Sequence, residues 1–460
     1  MKRTIALLLA AWMMLAMAGC GKTAAPAPAP VSETQPEVEA DPYADPVELT
    51  FWAVSKWNGV NGTEADGQVG DWENYMAEQF TAKHPNVTIN VEIYDTQNGP
   101  TVMASAIAAG ETPDVVHDAN TRLMQYSNAG YLVATDEYLT DEEIASFTDS
   151  TFSSIQIADG HSYFVPFGTN VLGIMVNKTL FEQAGCADLL PQGEDREWTY
   201  DEYYTAVTTA MSKLSDVYAA PLFADLSSGG DMYSWCWVYG AGGTFFDVNT
   251  NRMGINTNEA RTGLNFWTKL INEGLAAPGG ASFKAGDAAP MFYQQQVLTC
   301  PCATVHYSRL VAGQANGTYE PFEVSVYAFP HAEGAETISC ADPHGFGVWV
   351  NEDDAKQHWA EEFVKFLSSD ENAHYIKAAG EVSYKKCAQD LYNGEDENLV
   401  FMSSLMNKLI PGGASVPGYT TCRFEVTPYY QQLYLGEITV DEFCETVETV
   451  CNKFLEDFEA

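Results

Sequence analysis

From Val47 to Leu132 the hydrophobic pattern alternates between a period of two and a period near 3.6, and that alternation leaves few folds open. Val47-Glu-Leu-Thr-Phe-Trp52 reads as a first strand. Trp72, Tyr75, Met76 and Phe80 then recur at helical spacing, ending near Lys83-His-Pro85. Val87, Ile89, Val91 and Ile93 alternate with polar residues, which predicts a half-buried strand. Met103 and Ile107 share a helical face that Gly110 would close with a left-handed cap. Pro113-Asp114 turns the chain into Val115-Val116, a short buried strand followed by a polar loop, His117 to Thr121, and a further helix. Strand and helix thus alternate three times over, the sequence of an α/β layer with a largely parallel sheet. In such sheets ligands bind beyond the carboxyl ends of the strands, which here is the His117–Thr121 loop.

The chain begins differently. Lys2 and Arg3 precede fourteen apolar residues, Ile5 to Ala18. A spanning helix needs about 20, so this run reads as a secretion signal, residues 1–19. It ends Leu15-Ala-Met-Ala-Gly-Cys20, which resembles a bacterial lipobox, with Met17 where leucine is usual. That resemblance implies lipidation of Cys20, which would become the new N-terminus. Residues 20–45 carry Pro26, Pro28, Pro30, Pro36 and Pro42 among alanines and acids, too little apolar surface to fold, and suit a tether.

The remaining length is ample for more than one hydrophobic core. A net charge of −41 argues against nucleic acid as a partner and against an anionic membrane meeting the folded body. Of ten cysteines, nine remain after Cys20, an odd number that cannot all pair. Cys300-Pro-Cys302 lacks a second ligand pair, so no metal is expected, and Cys444 and Cys451 lie about two turns apart on one helix, too far to bridge. Buried thiols are the default, with room for one or two bridges.

Further along, Thr140 to Glu143 and Thr199 to Glu202 form capping boxes. Asp247-Val-Asn-Thr-Asn251 imitates a calcium loop but lacks its glycine and its final glutamate, so it reads as a hairpin turn. Asn258 to Gly274 predicts a helix with Leu264, Trp267 and Ile271 inward, and Val324–Pro330 and Gly345–Val350 predict strands.

Several short motifs occur in an order that resembles one family. Ala106-Ile-Ala-Ala-Gly-Glu-Thr-Pro-Asp-Val115 is similar to "A-x-A-A-G-x-x-P-D-[VI]" of the extracellular solute-binding proteins of ABC importers, in the sugar-binding group that includes maltose-binding protein. Gly160-His-Ser-Tyr-Phe-Val-Pro166, followed by Asn177-Lys178, Leu180-Phe181 and Ala184-Gly185, resembles "G-x-x-Y-x-[VI]-P…Y-N-K-x-L-F-x-x-A-G", with Val176 in place of the tyrosine. Phe363-Val-Lys-Phe-Leu367-Ser-Ser-Asp-Glu371 resembles a third motif, and the resemblance runs from Val47 to the C-terminus.

The resemblance implies a two-lobed periplasmic-binding-protein-like fold. Residues 46–167 plus 325–368 would form the first lobe, and 168–324 plus 369–460 the second. It implies a lipid-anchored extracytoplasmic monomer that closes on a small solute, most readily a mono- or oligosaccharide, and delivers it to an ABC transporter permease, with no cofactor and no catalysis. Two rival readings are a solute-binding protein for a non-sugar ligand and a secreted glycoside hydrolase; the enzyme needs two carboxylates, and a chain this acidic always supplies some close pair.

The same resemblance points to ligand-binding residues. Asp118, Thr121 and Arg122 lie in the loop where relatives contact sugar, and Asn170 follows Pro166 by the offset that carries a ligand-contacting acid. Trp52 and Trp57, near the end of the first strand, and Trp235, Trp237 and Tyr239, ahead of Gly240-Ala-Gly-Gly243, are candidate stacking surfaces. Asp118 and Asn170 are expected to be exposed in the open protein.

Overall fold

A computed structural model describes residues 42–459 apart from 57, 63, 65, 96–97, 150, 158, 227–229, 248–249 and 411–417. The signal segment, Cys20, most of the tether and Trp57 lie outside the described residues.

The expected alternation is present. Strand β1 (Val47–Val54) leads to the helix Asp71–Lys83, β2 (Val87–Tyr94), the helix Gly99–Ala109, β3 (Val115–Ala119) and the helix Asn120–Asn128. Gly110 closes the second helix at φ 72°, a left-handed conformation that glycine adopts without the Cβ clash. Both capping boxes form. On either side of the Asp247–Asn251 stretch, part of which lies outside the described residues, β5 (Phe246–Asp247) pairs antiparallel with β6 (Arg252–Met253). One detail differs: no polar loop follows Val116, because β3 continues to Ala119 and the next helix starts at once.

β1 pairs in parallel with β2 and with β3. Asp114 secures this edge: its carboxylate accepts from the Thr50 amide at 2.8 Å and Asn351 Nδ2 at 2.9 Å, with Lys356 Nζ at 3.3 Å. Beyond β3 the sheet takes strands from far along the chain. β9 (Ala341–Val348) inserts antiparallel between β3 and β4 (Val165–Asn177). Gly345 permits the approach, since a Cβ there would lie 2.1 Å from the Val165 carbonyl oxygen.

β4 is thirteen residues long and buried throughout. Its first half pairs with β9 and with β10 (Val382–Ser383); its second half pairs with β7 (Thr299–Ala303) and β8 (Val324–Tyr327). The two halves serve different cores. Met103, Val116, Leu123, Met124, Leu132, Phe164 and Trp349 cluster on one face of the first sheet, and Phe51 meets Phe363 of the helix Asp354–Leu367 edge-on at 5.4 Å on the other. From Val171 onward the chain enters a larger core that runs through the helices Tyr200–Met211, Gly230–Tyr239, Asn258–Asn272 and Tyr419–Leu435 to Leu455. The fold is two-lobed α/β, with β4 as a strand that runs from one lobe into the other.

Val326, Tyr327, Ala328, Phe329 and Cys340 are buried in that larger core. The expectation that grouped residues 325–340 with the first lobe therefore conflicts with their packing: β8 hydrogen-bonds to the far half of β4, which draws its neighbours along. Among the described residues no helix is long and apolar enough to cross a membrane, and no cluster of metal-ligating side chains occurs.

Candidate functional site

At the carboxyl end of β3, alternate side chains serve two polar networks. Asp118 is fully buried. Its Oδ1 accepts from Arg122 Nε at 2.7 Å, from Arg122 Nη2 and from the Ala119 amide at 2.7 Å; its Oδ2 accepts from the Tyr94 hydroxyl at 3.0 Å and the Tyr126 hydroxyl at 3.5 Å. The spacing explains the ion pair, since Arg122 lies in the first turn of the helix that starts two residues after Asp118. Burial, then the Asp118 charge, raises both phenols well above their ordinary range, so Tyr94 and Tyr126 stay protonated donors.

His117 belongs to the second network. Its Nε2 lies 2.6 Å from His344 Nδ1 on β9, and His344 Nε2 lies 2.5 Å from Glu381 Oε2. Glu381 sits immediately before β10, and its other oxygen accepts from Asn170 Nδ2 on β4 at 2.8 Å and faces Lys56 Nζ, just after β1, at 3.4 Å. Asn170 Oδ1 in turn accepts from the Thr304 hydroxyl at 3.2 Å and the Val305 amide at 3.3 Å, at the start of the helix Thr304–Ala315 in the larger core. Five separate segments of the first sheet and its crossing strand are thus linked to the second lobe through one carboxylate.

Burial opposes charge on Glu381, yet Lys56 and His344 together hold its carboxyl down to about 2. An ionised carboxylate only accepts, so His344 Nε2 donates to it. Burial and the adjacent His344 push His117 well below the usual imidazole range, which keeps that ring neutral.

In the larger core Asp231, in the first turn of the helix Gly230–Tyr239, is also buried. It accepts from the Tyr419 hydroxyl at 2.6 Å and lies 3.5 Å from Arg423 Nη1. Each of the buried carboxylates Asp118, Asp231 and Glu381 is matched to a cation and a neutral donor. These pairings fix backbone segments and helix starts relative to one another.

The candidates from the sequence fall into separate places. Asp118 and Arg122 are paired with each other, while Asn170 belongs to the Glu381 network; both Asp118 at 0% and Asn170 at 8% exposure contradict the expectation of exposed side chains. Asp118 is enclosed by Tyr94, Arg122 and Tyr126, and Asn170 by Glu381, Thr304 and Val305, groups brought in largely from distances in sequence that spacing does not report. Thr121 is half-buried on the same helix as Arg122. Trp52 is half-buried against the first lobe's core, and its indole nitrogen has no partner among the described residues.

Trp235, Trp237 and Tyr239 are buried together in the second lobe. Trp235 stacks on Phe245 at 4.2 Å, and Trp237 packs edge-on against Tyr203 at 5.7 Å and Phe329 at 6.0 Å. These rings are core rather than open stacking surfaces. Lys56, His344 and Glu381 were not singled out by the sequence, and His117 only as part of a loop. Their positions share no local motif, so nothing short of the fold brings them together.

The family model described as bacterial extracellular solute-binding protein matches residues 65–374. Among curated proteins, a binding protein of Brucella abortus is 24% identical over 242 residues, 52% of this chain and 56% of its own. A maltotriose-binding protein of Pyrococcus abyssi is 26% identical over 207 residues, 43% of this chain and 39% of its own. The matched part spans about half the length of these curated relatives. Among solved structures, the cyclic α-maltosyl-1,6-maltose binding protein of Arthrobacter globiformis superposes with a TM-score of 0.74 at 21% identity, covering 90% of this chain and all of that one. A solute-binding protein of Thermotoga lettingae bound with α-D-tagatose gives 0.71 at 18% identity, covering 89% of this chain and 99% of that one.

Proposed function

This chain belongs to the bacterial extracellular solute-binding proteins, and we propose that it captures a carbohydrate between its two lobes and delivers it to the membrane subunits of an ABC importer. The observation that carries the reading is the family match across residues 65–374, joined to whole-length structural likeness to proteins whose names specify a cyclic oligosaccharide and a ketose. The relative from Pyrococcus abyssi is named for maltotriose. Structural likeness at this identity conveys the fold, and the carbohydrate class is the step proposed here.

In this reading the first lobe comprises residues 46–167 with the β9 segment and the helix Asp354–Leu367. The second comprises residues 168–340 with the C-terminal helices. The lobes hinge about β4 and β9, where the Glu381 network holds the crossing strands in place. Trp52, Thr121 and Arg122 line the first lobe's side of the cleft. Sugar C–H faces would lie on the indole, and hydroxyls would meet the polar groups beyond β3. Asp118 orients Arg122 instead of meeting the ligand itself, and Asn170 acts at the hinge. Cys20 carries the lipid that anchors the protein outside the cytoplasm, and the proline-rich segment holds the folded body off the membrane. The protein releases its ligand chemically unchanged.

A thermal-shift screen against maltose, maltotriose, lactose, tagatose and a panel of amino acids tests the ligand class. A sugar at ~100 times its dissociation constant stabilises the folded form by ~2.7 kcal/mol and raises the midpoint accordingly. Stabilisation by an amino acid with none by any sugar overturns the carbohydrate assignment, and recovery of a shortened sugar after long incubation overturns the reading as a binding protein.

A further inference from the structure

Nine cysteines follow Cys20; all are free thiols in the structure, and only Cys387 is exposed. Most are ordinary small core residues. Cys300 and Cys302 lie on β7 in the sheet that surrounds β4. Cys422 and Cys451 meet across two helices, but each thiol donates to the other residue's carbonyl oxygen, at 3.5 and 3.8 Å.

The Cys236 and Cys340 sulfurs face one another directly, 3.7 Å apart, although the two residues are 104 positions apart in sequence. Cys236 lies on the helix Gly230–Tyr239, which Trp235 and Trp237 fix in the core. Cys340 is the residue before β9. Its carbonyl accepts from the Leu172 amide at 3.1 Å, and the preceding Ser339 hydroxyl donates to the Leu172 carbonyl at 2.7 Å, so Cys340 is pinned beside the crossing strand. A disulfide spans about 2.05 Å, so each sulfur need move by only about 0.8 Å, within reach of a side-chain adjustment on a fixed backbone.

We propose that Cys236 and Cys340 form a disulfide site, oxidised by a small-molecule disulfide, that ties the helix Gly230–Tyr239 to the strands on which the lobes hinge. The Cys236 thiol loses its proton and attacks one sulfur of the small disulfide. That breaks its S–S bond, forms a mixed disulfide and releases the first thiolate. The Cys340 thiol then loses its proton and attacks the Cys236 sulfur, which forms the protein disulfide and expels the second thiolate. Two protein thiols are oxidised and one small disulfide is reduced to two thiols, which take up the two protons.

Both sulfurs are covered, and burial holds the Cys236 thiol well above its ordinary range. Oxidation of the folded protein therefore proceeds through transient opening of the second lobe and accelerates near the unfolding midpoint. A supply of oxidant in the cell rests on the extracytoplasmic reading above. The experiment provides its own oxidant, so the two fail separately.

Folded, reduced full-length protein is incubated with oxidised glutathione a few degrees below its midpoint, the remaining thiols are alkylated in denaturant, and the protein is digested without reduction. The expected result is a cross-linked peptide pair containing Cys236 and Cys340, and a protein lighter by two hydrogens per bridge. The oxidised protein also unfolds at a higher temperature than the reduced one, a difference that Cys340→Ala abolishes and Cys186→Ala retains. Recovery of both Cys236 and Cys340 alkylated, whatever other bridges form, overturns the proposal. The peptide map on the wild-type protein decides the matter even where Cys340→Ala fails to fold.

Discussion

Asn170 donates from Nδ2 to Glu381 Oε1 across 2.8 Å, although 211 residues separate the two in sequence. The same amide accepts from the Val305 N–H that opens a second-lobe helix, so one side chain joins a buried carboxylate to the far lobe. Asn170→Ala leaves that N–H and one lone pair of Glu381 without a protein partner. The cost is about 1–3 kcal/mol of ligand-free stability, seen as a lower urea midpoint at an unchanged slope. A midpoint equal to that of wild type would show that water replaces the amide without penalty.

Asp118→Ala removes the counter-charge of Arg122 and the acceptor of two buried tyrosines. Breaking a buried pair from one side costs about 3–5 kcal/mol, whereas removing both partners costs less. The double variant Asp118→Ala with Arg122→Met should therefore recover part of the loss. Equal stability of the single and double variants would show that the charge left on Arg122 finds solvent.

The tryptophans of the helix Gly230–Tyr239 separate packing from ligand contact. Trp237 is enclosed by Tyr203, Phe266 and Phe329. Trp237→Ala is expected to cost ~3–5 kcal/mol of ligand-free stability through lost burial and the cavity left behind. Unchanged stability with lost sugar binding would return this ring to the cleft.

Acid should unfold the protein in stages. Burial, then Arg309, holds the His306 imidazole down to about 4 from an ordinary 6.5, and His117 shifts in the same direction. Between those values the unfolded chain binds a proton that the folded chain refuses. The contribution is complete above pH 6.5 and is lost as pH falls toward 4, on the order of 3 kcal/mol for His306. Glu381, shifted from 4.5 to about 2, extends the loss below pH 4.5. Urea midpoints of wild type and His306→Asn from pH 8 to 4 test this. The variant should show a shallower slope between pH 6.5 and 4, and identical slopes would remove His306 as a source.

The anchor is tested in cells. With Cys20→Ala, the chain should leave the membrane fraction or remain unprocessed at its signal segment, while wild type stays membrane-bound. Equal partitioning and identical mature mass would exclude lipidation at Cys20.

Much of the fold was legible because it depends on near neighbours. The strand–helix alternation from Val47 onward, the left-handed cap at Gly110 and the boxes Thr140–Glu143 and Thr199–Glu202 are each decided within about one turn of chain. The family resemblance rested on such short pieces in a fixed order, and the match over residues 65–374 agrees with it.

What the tertiary structure decided is pairing over long distances. A strand of period two reads alike whether its neighbours run parallel or antiparallel, so nothing local announced that β9 would insert between β3 and β4. That insertion brings His344 to His117, and the return of the chain at Glu381 brings in Lys56 and Asn170. The aromatic run Tyr233–Tyr239 likewise fits a stacking surface and a core equally well on composition. Only the helices packed around it settle which. A residue's type states what it can bond to, and its burial and partners are set by segments that the sequence holds hundreds of residues away.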